Sequence, residues 1–302
     1  MATFNDWVEG IRARTLPASV SPVFAGTGIA IWGGGANWAR AGLCLAIALI
    51  LQIAVNLSND YSDGVRGTDA VRTGPPRLTG GGKTSPQVVL RAAIACYVLA
   101  CVCGLWLVAL TGKWWLLGLG VAAVLAAWFY TGGKHPYGYA GLGEVGVFLF
   151  FGLMSTAGTV YVQLLAVPAP AWIAACAMGL IACALLMVNN IRDIPTDSVT
   201  GKHTLAVRLG DARARQVYAA TLALALALGV VLCIFLGSRW WLVVLFAYPA
   251  YLAIECARTV TRAGTQRAEG RALIPVLRNT GFVELSYGLA TAFAYALAAW
   301  LG

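Results

Sequence analysis

The stretch AGLCLAIALILQIAVNLSNDYSDGVRGTD, residues 41–69, decides the fold. Residues 41–58 are largely apolar, and Asn59, Asp60, Asp63 and Asp69 follow with no linker between. A hydrocarbon core about 30 Å thick takes roughly 20 apolar residues per helix. The pattern therefore predicts a membrane span that delivers oxygen-bearing side chains to one face of the bilayer. The same arrangement recurs downstream, where the apolar run 171–190 leads into NNIRDIPTDSVTGKHT at 189–204.

The rest of the chain agrees with lipid as the solvent. Sixty per cent of its 302 residues are hydrophobic and 11% are charged, a balance that excludes an ordinary soluble domain. Further spans are predicted near 16–34, 88–111, 114–131, 144–166, 216–237, 239–257 and 281–301. The expected fold is an all-α integral membrane protein, with about nine transmembrane helices in one bundle and one domain over residues 1–302. The segment at 16–34 reads as a true span, because Asp6, Glu9, Arg12 and Arg14 ahead of it do not form the compact pattern of a cleaved signal peptide.

Basic residues set the expected orientation. One side carries Arg12 and Arg14; Arg66, Arg72, Arg77, Lys83 and Arg91; Lys134; five in 192–215; and five in 258–278. The other side carries Arg40, Lys113 and Arg239. The positive-inside rule then puts the N-terminus and the loops after spans two, four, six and eight in the cytoplasm, with the C-terminus outside a plasma membrane. The net charge of +9 follows from this topology and gives no reason to expect nucleic acid as a partner. All twelve carboxylates are expected on the cytoplasmic side or at cytoplasmic span ends.

Several chemistries are excluded. The eight cysteines lie mostly within spans and form no C-x-x-C pair, so they read as small packing residues. No Walker or Rossmann glycine pattern follows a strand, and the GGG at 80–82 lacks that context.

What remains is carboxylate chemistry. On a helix continuing past the second span, Asn59 and Asp63 are four apart and Asp60 and Asp63 three apart, hence neighbours on its surface. Asn189, Asp193 and Asp197 repeat the four-residue step, although Pro195 is expected to end the helix and move Asp197 into the loop. Carboxylate and amide oxygens suit Mg²⁺, which commonly shares its shell with a substrate phosphate. Two such clusters facing each other would hold a diphosphate through metal, with Arg66, Lys83, Arg192 and Lys202 as direct cationic contacts. A third polar stretch, YTGGKHPYGYAGLGE at 130–144, offers Tyr130, Tyr137, Tyr139, Lys134 and His135, either as an acceptor pocket or as an interfacial loop.

Four stretches together resemble the UbiA superfamily of intramembrane aromatic prenyltransferases: WVEGIRARTLP at 7–17, NLSNDYSDGVRGTD with GPPRLTGGG at 56–82, YTGGKHPYGYAGLGEVGVFLFFG at 130–152, and NNIRDIPTDSVTGKHTLAVRLG at 189–210. PYGYAGLGE and GKHTLAVRLG resemble the branch that prenylates 1,4-dihydroxy-2-naphthoate in menaquinone biosynthesis. The superfamily's first motif is often N-x-x-x-D-x-x-x-D; here Asn59 and Asp63 match it, Gly67 stands at the third position, and Asp69 follows.

The resemblance implies Mg²⁺-dependent transfer from a polyprenyl diphosphate. Asn59, Asp60, Asp63, Asn189, Asp193 and Asp197 would be metal ligands. Asn56, Asn59, Arg66, Lys83, Arg192, Lys202, Tyr137 and Tyr139 would bind substrate. Asp63, Asp193, Tyr130 and Lys134 would be catalytic, with Lys134 on the acceptor carboxylate. Sister enzymes acting on 4-hydroxybenzoate or homogentisate share the Asp motifs, and a transporter is the rival from another class. No sequence pattern encodes the isoprenoid chain length or the oligomeric state.

Overall fold

The computed structural model describes residues 2–68 and 77–302, so Asp69 and Arg72 lie outside the described residues. A short α1 (Phe4–Gly10) precedes α2 (Leu16–Trp32), α3 (Trp38–Arg66), α4 (Pro86–Thr111) and α5 (Leu116–Phe129). One bent span then joins α6 (Gly143–Val147), a π-helical stretch (Phe148–Ala157) and α7 (Gly158–Leu164). After it come α8 (Ala169–Asp197), a short α9 (Leu205–Leu209), α10 (Asp211–Ile234), a 3₁₀ stretch (Gly237–Phe246) running into α11 (Ala247–Thr261), and α12 (Ile274–Trp300). Among the described residues, seven helical segments are long and apolar enough to cross a membrane, and two shorter apolar helices, α2 and α5, accompany them.

Local chemistry explains the ends. Pro17, Pro86, Pro170 and Pro275 stand in the first turns of α2, α4, α8 and α12, where a missing N–H costs no helical hydrogen bond. Gly67 ends α3 at φ 77°, a left-handed conformation that a side chain disfavours.

The helices are not equivalent. In its most apolar stretch α8 is 72% buried, against 28% for α4, so α8 is the central helix and α4 faces lipid with Val98, Val102 and Trp106. Close backbone approach joins α12 to α2: a Cβ on Gly28 would meet the Ala292 Cα at 2.3 Å, and one on Gly288 the Ser21 carbonyl oxygen at 2.5 Å. Small residues at such crossings replace the hydrophobic drive that lipid removes. Across α10 and α12, Tyr287 Oη donates to Ala225 O (2.9 Å), Tyr295 Oη donates to Leu232 O (2.8 Å), and the Tyr218 and Thr280 hydroxyls meet at 2.7 Å. At about 0.6 kcal/mol per interhelical bond, the three contribute on the order of 2 kcal/mol.

The two ends of the bundle differ in chemistry. At one end, Arg40 donates to Val162 O and Leu110 O, and Arg239 donates to Leu301 O, so backbone carbonyls satisfy both cations. The loops that follow α3, α5 and α8 meet at the other end.

Two sequence expectations need correction. Pro195 does not end α8, which runs to Asp197; the proline falls in the last turn, where Ser198 N still bonds Ile194 O at 3.1 Å and Lys202 N closes onto Asp197 O at 3.0 Å. Nor do all carboxylates lie at a span end. α12 begins at Ile274, because polar Arg278 and Asn279 depress hydropathy without interrupting the helix, and Glu284 is therefore fully buried almost three turns inside it.

Candidate active site

The last turns of α3 are buried although they carry Asn56, Asn59, Asp60 and Asp63. Burial of such groups is tolerated only with partners, and each partner comes from another segment. Asn56 Nδ2 donates to Ile11 O (2.8 Å) and Thr15 Oγ1 (3.1 Å), which ties down the N-terminal segment. Asn59 Oδ1 accepts from Thr131 Oγ1 at 2.6 Å. Both Asp60 oxygens accept backbone amides, from Leu78 and Thr79, each at 2.8 Å. Asp63 Oδ1 accepts from Tyr139 Oη at 2.6 Å, and Oδ2 faces Arg77 Nη2 at 3.3 Å.

The end of α8 is wired differently. Arg192 clamps its own neighbour, with Nε on Asp193 Oδ1 (2.7 Å) and Nη2 on Oδ2 (2.6 Å), while Nη2 also reaches Asn189 Oδ1 (2.9 Å). Asp197 is buried, with Lys202 Nζ 4.0 Å from Oδ1. Asn190, one position from Asn189, donates to Glu144 Oε1 at 3.2 Å.

Tyr139 joins the two clusters. Its hydroxyl holds Asp63, and its ring lies 5.4 Å from the Arg66 guanidinium carbon and 5.3 Å from Lys202 Nζ, both in cation–π range. Burial and the Asp63 charge push the Tyr139 hydroxyl well above the usual phenol range, so it stays a donor. Tyr130 and Tyr137 meet edge to face at 5.5 Å. Burial, with Tyr97 nearby, raises Tyr137 to about 12. Tyr137 also borders an apolar groove of about 330 Å³ that includes Leu125, Phe129, Leu142, Leu149 and Phe150.

Several expected contacts go elsewhere. Arg66 donates to Thr131 O and Gly133 O and so fastens the 131–133 loop to α3. Lys83 pairs with Asp6 at 3.1 Å. Asn56 and Asp60 hold protein backbone, as above. Lys134 and His135 are exposed. Conversely, buried Arg77 on Asp63, Thr131 on Asn59, and the Asn190–Glu144 pair do not stand out in the sequence. Arg77 is legible in GPPRLTGGG only as one more topological charge, and Glu144 as the last letter of a loop.

Among the described residues, no three His, Cys, Asp or Glu side chains converge as a metal site. The donor set nevertheless fits a hard divalent cation: Asn59, Asp63, Asn189 and Asp193 present only amide and carboxylate oxygens, and protein donors now hold those oxygens.

Fold and site together define a multi-pass helical membrane protein with an oxygen-rich, cation-lined receptor at one end. Residues 19–277 match the UbiA prenyltransferase family, and the chain belongs to it. It is 49% identical over 98% of both chains to a Mycobacterium tuberculosis protein named 1,4-dihydroxy-2-naphthoate octaprenyltransferase. A protein of the same name from Escherichia coli is 40% identical over 85% of each chain. In fold the chain is similar to a UbiA homolog from Archaeoglobus fulgidus solved with DMAPP and Mg²⁺, at TM-score 0.68 and 15% identity, covering 97% of this chain and 99% of that one.

Proposed function

We propose that the protein transfers a polyprenyl group from polyprenyl diphosphate to 1,4-dihydroxy-2-naphthoate. Diphosphate and the acceptor's carboxylate, as CO₂, are lost, and the prenylated naphthoquinol forms, which is demethylmenaquinone in its reduced, quinol state, a step of menaquinone biosynthesis. The observation that carries a diphosphate site is Tyr139, which holds Asp63 through its hydroxyl and seats Arg66 and Lys202 on its ring, bringing three polar segments together. The choice of acceptor is supported by near full-length identity to relatives named for that reaction.

Asn59, Asp63, Asn189, Asp193 and Asp197 would hold Mg²⁺, which when bound supplies positive charge to the diphosphate oxygens. As the allylic carbon–oxygen bond breaks, negative charge grows on the leaving group, and Arg77, Arg192 and Lys202 stabilise it in a site shielded from water. Tyr130 and Tyr137, both weakly acidic, flank the allylic carbon with aromatic surface and no competing nucleophilic anion. Lys134 takes the acceptor carboxylate. The whole of 1–302 acts as one membrane unit in the plasma membrane, with the receptor end cytoplasmic; eighteen basic residues against three support that orientation.

The deciding experiment is turnover of purified, detergent-solubilised protein with a polyprenyl diphosphate and 1,4-dihydroxy-2-naphthoate, with and without Mg²⁺, read by mass spectrometry. Metal-dependent decarboxylated product is expected. Product with 4-hydroxybenzoate alone would discard the acceptor and keep the reaction class.

A further inference from the structure

The apolar groove bordered by Tyr137 runs from the outside of the bundle into the site. It lies between α5 and the bent span that begins with α6, with Leu125 and Phe129 on one wall and Leu149 and Phe150 on the other. Measured contacts lead from its head to the acid cluster. The Tyr137 ring meets Tyr130 at 5.5 Å, and Thr131, next in the chain, donates to Asn59 Oδ1 at 2.6 Å. Tyr137 and Tyr139 share one 3₁₀ turn, Tyr137–Ala140. A rise of about 2 Å per residue puts them roughly 4 Å apart along its axis, and Tyr139 Oη holds Asp63 at 2.6 Å. The groove therefore begins beside the candidate diphosphate receptor.

Its walls fit a hydrocarbon chain, for Tyr137 alone among the lining side chains carries a polar atom. Gly146 supplies the floor: a Cβ there would meet Tyr137 Cε2 and Oη at 2.8 Å, so bare backbone lets the ring lie back at the groove's head. The outer wall is loosely held, since Ala123 is the one buried residue of α5. The inner wall belongs to the π-helical stretch, a backbone form that recurs at functional sites. The seam between α2 and α12 leaves no such room, because a Cβ on Gly28 or Gly288 would strike the facing backbone at 2.3 or 2.5 Å. Lipid tails are as apolar as any side chain in the groove, so it contributes direction and not affinity. A chain whose diphosphate is anchored at the receptor is led out along it; a bilayer chain without that anchor gains nothing there.

Resting on the function proposed above, we infer that the groove between α5 and the bent span is the route by which the polyprenyl chain leaves the receptor for the bilayer. The isoprene units next to the allylic carbon lie along Tyr137, Phe129 and Phe150, and the remainder passes Leu125 and Leu149 into lipid. A chain led out sideways meets no end wall, so the groove orients the reacting carbon without counting isoprene units.

The test adds a long polyprenyl diphosphate, carrying a photoreactive diazirine on an isoprene unit near the allylic end, to the purified protein in lipid nanodiscs without acceptor. Mass spectrometry maps the crosslinks. Crosslinks in 125–129 and 145–150 that excess unlabelled polyprenyl diphosphate displaces are expected. Crosslinks in α2 or α12 instead, or groove crosslinks that the unlabelled donor does not displace, would overturn the inference. Ala126→Trp, which fills the groove, should lower kcat/KM for a long donor about tenfold more than for geranyl diphosphate, at an unchanged melting temperature. If that variant fails to fold, Val145→Trp at the exposed rim carries the same comparison. An unchanged ratio in the folded variant would overturn the route. Because the crosslinking needs no acceptor, displaceable groove crosslinks in a protein inactive on the naphthoate would discard the proposed acceptor and keep the route.

Discussion

The ends of α3 and α8 carry the same Asn-to-Asp spacing and are built on opposite plans. On α3 each of the Asn and Asp side chains of the cluster is held by a distant segment: Asn56 by Ile11 and Thr15, Asn59 by Thr131, Asp60 by Leu78 and Thr79, Asp63 by Tyr139 and Arg77. On α8 the Asp193 carboxylate is held by the residue before it, Arg192, which also satisfies Asn189. One cluster is woven into the tertiary structure; the Asn189–Arg192–Asp193 set of the other is closed within a single turn of its own helix. Equal spacing in sequence fixes the chemistry offered, not the way it is anchored.

Aspartate substitutions test that contrast most severely. Asp63→Ala and Asp193→Ala should each abolish nearly all turnover, and each leaves a buried arginine without its carboxylate, but Asp63→Ala, which also frees Tyr139 of another segment, should lower stability more, by about 3 kcal/mol or above. Equal melting temperatures for the two variants would erase the distinction. Asp60→Asn replaces an oxygen acceptor with a donor beside two amides, and thermal melting should report a loss of about 1–3 kcal/mol.

Tyr139 separates into two parts. Tyr139→Phe keeps the ring between Arg66 and Lys202 and removes the Asp63 bond, so kcat should fall about tenfold; Tyr139→Leu should fall further. Equal losses would mean that the ring contributes nothing.

Smaller effects sharpen the margins. Lys134→Met should raise the acceptor KM about threefold and the donor KM less; equal changes would remove Lys134 from the acceptor. Lys83→Ala, at an exposed pair with Asp6, should shift stability by less than about 0.5 kcal/mol. A marked loss of donor affinity would instead return Lys83 to the phosphate.

Much of this is legible in the amino-acid order alone. Apolar runs locate helices because lipid forces each span to satisfy its own backbone, and the Asp segments stand out because charge beside lipid is costly. Pro195 misleads because its propensity says nothing of the loop that closes back onto Asp197. The protein partners of Arg66 and Lys83 are not legible because a cation's partner depends on folded geometry: both sit near acids in sequence, yet one reaches carbonyls at 131 and 133 and the other Asp6. Glu284 escapes notice because one carboxylate barely dents the hydropathy of a long helix.

The brevity of α5 matters beyond packing. Its 14 residues rise about 21 Å at 1.5 Å each, short of a hydrocarbon core of about 30 Å. The bilayer must dimple where it meets this helix, or the helix must leave part of the leaflet to its neighbours. A short α5 ties the 130–142 loop at its end to the local thickness of the bilayer, so short-chain lipids should suit the catalyst, and thick, ordered ones should strain it.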